Sequence, residues 1–178
     1  MGHYSIKKSK QNLLIPILLV ITAAAICVTI WAVFFRDTGP VLAPDYAPQE
    51  EEVNAETIPG DSGEKMDNPE GGGSVSLTYS RDVSIDLSEE TASLLFANPG
   101  KSNQDIVLQI VIQGEVIVQS GTLKPGKQVT NLEMIDGMTE KLSAGTYEGE
   151  FIVLYYHPET GEKAIVNTEI PITITVNN

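Results

Sequence analysis

A chain of 178 residues allows one ordinary domain plus extra segments, and its formal net charge of −13 argues against nucleic acid or anionic headgroups as ligands. Its one cysteine, Cys27, excludes an intramolecular disulfide, so any folded domain must stand on its apolar core.

The first twelve residues carry Lys7, Lys8 and Lys10 and no acid, and 13–35 is a 23-residue run without charge, broken only by Pro16, Thr22 and Thr29. At a rise of 1.5 Å per residue it would reach about 34 Å, enough for a hydrocarbon core of about 30 Å. A cleaved signal peptide would have a shorter apolar stretch and small residues at its end. This one ends in Val33-Phe34-Phe35-Arg36, and Ile26 before Cys27 does not suit a lipoprotein site. The run therefore predicts a retained signal-anchor helix over 13–35, with the lipid bilayer as its partner. Trp31 would stand near the outer interface, and the lysines place the 1–12 tail in the cytoplasm.

Residues 37–74 hold ten acids against Lys65 alone, with five prolines and the run Gly71-Gly72-Gly73-Ser74. Lacking apolar periodicity, 36–74 reads as a disordered acidic linker. As a random coil it would span roughly 31–37 Å.

From Val75 onward the pattern alternates with period two, predicting a mainly β domain over 75–178. Val75, Leu77 and Tyr79 open it, followed by Val83, Ile85 and Leu87. Ser88 to Asn98 fits a helix or a strand; a strand suits the architecture better, with Asn98-Pro99-Gly100 as its turn. Ile106 to Ile112 and Val116 to Val118 form a hairpin about Gly114-Glu115. Pro125-Gly126 suits a type II turn before 129–134. A long strand carries Phe151, Val153 and Tyr155, and Thr160-Gly161 turns the chain into a last strand with Ile170, Ile172, Ile174 and Val176 on one face. Pro171 predicts an edge or a bulge there. About seven strands without helical crossovers indicate an antiparallel β-sandwich.

Leu142-Ser143-Ala144-Gly145-Thr146-Tyr147, leading into the long strand, resembles the tyrosine corner of immunoglobulin-like domains. Gly149 stands where antibody domains have a cysteine, so the resemblance is to cysteine-free immunoglobulin-like modules of bacterial membrane-anchored surface proteins, over most of 75–178. It implies a structural role for Tyr147 and Gly145 and says nothing of activity.

No nucleophile elbow, P-loop or dinucleotide fingerprint occurs, and His3 and His157 are the only histidines. No catalytic, cofactor-binding or metal-ligating residue is assigned, and no small-molecule substrate. Asp82, Asp86, Glu89, Glu90 and Asp105 are the acids that would have to converge for calcium. The residues singled out as an interaction surface are Tyr156, expected to point outward beside His157, and Ile170, Ile172 and Ile174 of the last strand, a candidate for β-augmentation. The expectation is a single-pass, non-enzymatic protein with an extracellular domain. That domain would bind or scaffold a protein or envelope polymer in a bacterial surface or transport assembly. The alternative is a sensor or accessory subunit acting through its transmembrane helix.

Overall fold

A computed structural model describes residues 8–34, 42–68, 70 and 72–178. The expected cytoplasmic tail up to Lys7, and Phe35 and Arg36 at the end of the apolar run, lie outside them. The chain divides into two units, Met1–Thr38 and Gly39–Asn178.

The first unit contains α1, Lys8–Phe34, with Pro16 inside it. Its side chains are described over 15–29, and all of these residues are exposed. The hydroxyls of Thr22 and Thr29 donate to the carbonyls of Leu18 and Ala25, one turn back, at 2.9 and 2.8 Å. Among the described residues no helix is long and apolar enough to cross a membrane; the apolar run of 13–35 extends past the described side chains at both ends.

The second unit is built on strands. Seven of them are β3 Asp82–Asp86, β4 Thr91–Asn98, β5 Asp105–Ile112, β6 Glu115–Gln119, β7 Lys127–Glu133, β8 Gly145–Tyr156 and β9 Lys163–Asn177. Two short ones, β1 Glu56–Thr57 and β2 Thr78–Tyr79, add to β7 and β4. They make one curled sheet in the order β1-β7-β4-β3-β9-β8-β5-β6. Where two separate sheets are expected, β3 joins the halves: it pairs antiparallel with β4 and parallel with β9. At the other seam Val118 bridges Met134, and the Ile135 amide donates to the Ile117 carbonyl at 2.9 Å.

The turns follow their residues. Gln113 and Gly114 have φ of 54° and 82°, so both central positions of the β5–β6 hairpin are left-handed, as a type I′ turn requires. The turn lies one residue before the expected Gly114-Glu115. Gly126 has φ of 86° after Pro125, and the Lys127 amide donates to the Lys124 carbonyl at 3.2 Å, as in a type II turn.

Alternating residues fill the interior. Ile85, Phe96, Ile106, Leu108, Ile110, Phe151, Val153 and Ile174 are fully buried in one cluster. Phe96 and Phe151 meet edge to face at 5.3 Å between ring centres. Every residue of β5 is buried, so its outward face is covered as well.

Over Val107 the cover comes from the segment expected to be a disordered linker, and this is the main correction. Residues 43–66 form a strap along the sheet. The Ala47 amide donates to the Gly161 carbonyl at 2.7 Å, Glu52 to Thr122 at 3.0 Å, Ile58 to Gly126 at 3.0 Å and Met66 to Lys101 at 2.8 Å. The Asp61 carboxylate accepts from the amides of Gly100 and Gly63, and this holds it below the usual carboxylate range. Ala43 and Ala47 pack on Val107, Leu154 and Tyr156. Composition misleads here because the strap is held by main-chain bonds and small residues, which leave no apolar periodicity. Backbone groups paired in this way repay ordering that side-chain burial alone would not.

Candidate interaction edge

The β8–β9 hairpin carries most of the residues singled out in the sequence, and the structure sorts them. Tyr155 and Tyr156 do point to opposite faces, Tyr155 into the main core and Tyr156 into the smaller outer cluster. Yet Tyr156 is 0% exposed, because the strap lies over it and its hydroxyl donates to the Pro44 carbonyl at 3.0 Å. It is no free anchor. Ile170, Ile172 and Ile174 are buried core residues, so their side chains offer no surface to a partner.

His157 is exposed and serves its own turn. Its carbonyl accepts from the Gly161 amide at 2.7 Å, and its Nδ1 faces the amides of Glu159 and Thr160, both at 3.3 Å. With Nδ1 taken by main-chain donors, the ring acts as a cap for the tip of the hairpin.

Tyr147 reaches back to Ser143, donating to its carbonyl at 2.9 Å and accepting from its amide at 3.2 Å. Gly149 has a different reason to be glycine. A Cβ there would stand 2.5 Å from Ile174 Cδ1 and 2.6 Å from the Val111 carbonyl oxygen.

The edge itself is real, but it lies along part of β9 only. β3 pairs with β9 from Thr173 onward and Lys163 also bonds to Asp45 of the strap, so among the described residues the stretch from Ala164 to Ile172 has a strand partner only in β8. Pro171 falls on this free stretch, where a missing N–H costs no ladder bond on the open side. At its start the ladder slips: Leu154 faces Asn167 while Tyr156 faces Lys163. Ala164, Ile165 and Val166 therefore stand opposite Tyr155 alone. This bulge turns Ile165 outward, fully exposed, and leaves Val166 68% exposed. Gln104, His157, Thr160, Glu162 and Lys163 line an open groove of about 610 Å³ beside them. Ile165 and Val166 are not among the residues singled out from the sequence. Two adjacent apolar residues break the strict alternation seen from Ile170 to Val176, and that break is the available signal.

On the other side of the hairpin tip, Glu51 of the strap pairs with Lys124 at 2.5 Å, in a groove of about 420 Å³ that includes Asp105 and Thr122. Burial pushes the Asp105 carboxyl up, with Lys124 opposing and Glu51 adding to the rise. The acids weighed for calcium do not converge. Asp86 pairs with Asn177 beyond the Gly145 end of β8, and Asp105 pairs with Tyr156 at its other end. Eleven residue steps along the strand separate those ends, about 37 Å at ~3.4 Å per step. Among the described residues no group of three or more His, Cys, Asp or Glu side chains could hold a metal ion.

Compared with protein-family models and with curated proteins, the chain has no match.

Proposed function

We propose that the protein is a membrane-tethered, non-enzymatic contact module. In this reading α1 is the anchor, the N-terminus is cytoplasmic, and the β domain outside binds or scaffolds a protein or envelope polymer in a bacterial surface or transport assembly. The observation that carries it is the state of α1. Ile15, Ile17, Leu18, Leu19, Val20, Ile21, Ile26 and Val28 point all round the helix, and each is 48–69% exposed. A helix apolar on every side requires an apolar cover. The inward bonds of Thr22 and Thr29 suit an apolar surrounding, because neither hydroxyl is left as a free donor.

For the domain, an immunoglobulin-like reading draws support from connectivity. β3, β4 and β7 stand in the order of strands A, B and E, and β5, β8 and β9 in that of C, F and G. β1 of the strap takes the edge beside β7 where strand D would lie. Such domains work largely through contacts, and the free edge of β9 with its apolar bulge is the surface this one presents.

Topology tests the reading. In intact spheroplasts an impermeant maleimide should label Val53→Cys in the exposed strap, while Ser5→Cys should react only after lysis. Labelling of Ser5→Cys alone in intact cells would overturn the orientation. Replacing residues 13–35 by an unrelated apolar helix should preserve crosslinks made by the β domain; their loss would point instead to action through the helix.

A further inference from the structure

We infer that the hairpin end of the β domain, with Ile165 and Val166 at its tip, makes a shallow contact with the uncharged interfacial layer of the bilayer that holds α1; this rests on the anchor reading above. Three observations lead there. The bulge in β9 presents Ile165 and Val166 to solvent with nothing in the described chain over them. The strap begins at this same end: Tyr46 bridges Glu162, and the Lys163 amide donates to the Asp45 carbonyl at 2.9 Å. Tyr46 itself and Leu42, shortly before it, are 61% and 50% exposed.

The third observation is chain length. Only residues 35–41 separate Phe34, the last residue of α1, from Leu42. Whatever path they take, eight Cα–Cα steps reach at most about 29 Å. With the strap docked, the 36–74 segment is no longer a long spacer, and the tether between α1 and the first described residue of the strap is those seven residues alone. A few exposed apolar side chains bind a bilayer weakly by themselves, but a short tether raises their effective concentration at its surface. A tyrosine and aliphatic tips fit the interfacial layer. Asp45, Glu159 and Glu162 at the same end disfavour an anionic headgroup layer and keep the contact shallow.

The test uses the full chain in phosphatidylcholine vesicles whose acyl chains carry bromine near the headgroup. Trp31 is the only native tryptophan, so its quenching reports the anchor. In a Trp31→Phe background, Ile165→Trp reports the tip, and Thr146→Trp, at the opposite end of β8, is the reference. Quenching of the Ile165→Trp protein at least twofold stronger than that of the Thr146→Trp protein is expected. Equal, weak quenching of the two, with Trp31 quenched in the native protein, would overturn the contact and leave the anchor standing, with a protein partner as the use of the bulge. An unquenched Trp31 would overturn the anchor itself, and the contact with it.

Discussion

The Tyr156 hydroxyl donates to the Pro44 carbonyl at 3.0 Å, tying the strap to the end of β8 across 112 residues of sequence. Tyr156→Phe keeps the ring in its cluster with Val107 and Leu154 and removes only this bond. A loss of about 1 kcal/mol is expected, with a fall in Tm of about 3 °C. Denaturant titration of the two proteins measures it.

The same residue makes the fold sensitive to alkali. Burial, with the Asp45 carboxylate adding, pushes the Tyr156 phenol up to about 12 from its ordinary 10.0. The folded state thus holds its proton more tightly than the unfolded state. Its contribution is complete below pH 10 and declines as the pH rises towards about 12. Compared across that window, native protein and Tyr156→Phe should converge in stability. A constant gap would contradict the assignment.

Gly149 faces Ile174 and the Val111 carbonyl with no room for a methyl group. Gly149→Ala is expected to cost about 1–3 kcal/mol through overpacking. Adding Ile174→Val removes the Cδ1 contact but leaves the carbonyl, so the double variant should recover part of the loss. A double-mutant cycle by thermal unfolding reads the coupling.

Tyr147→Phe removes both bonds to Ser143 and leaves the ring in place. The hydroxyl lies near the surface, where water can satisfy the freed groups, so about 0.5–1.5 kcal/mol is expected. Tyr155, whose hydroxyl meets that of Thr168 at 2.6 Å, provides a comparison elsewhere on the same strand.

Six of the seven longer strands, the Pro125-Gly126 turn and the backward bond of Tyr147 were legible, because each depends on residues close together in sequence. Ser88 to Asn98 could be read either way, and the structure places β4 there. The strap was not legible from its own composition. It was legible from its partner: Ile106 to Ile112 is almost continuously apolar, a sign that both faces of β5 are covered. Reading only the inward set, Ile106, Leu108, Ile110 and Ile112, left Val107 without a cover. The same omission made Tyr156 look free. Ile170, Ile172 and Ile174 were correctly placed on one face, and that face is the core, so a role at the surface could not also hold for their side chains.

Whether the acidic segment belongs to the fold decides the cover of Val107, the burial of Tyr156 and the length of the tether together. Amide hydrogen exchange on the full chain in lipid or detergent measures this directly, at Ala47, Glu52, Ile58 and Met66, whose N–H groups donate to Gly161, Thr122, Gly126 and Lys101. A docked strap predicts slow exchange at all four, lost together when Tyr156→Phe is combined with Asp61→Asn. Exchange at random-coil rates in the native protein would contradict it and restore the long, free linker.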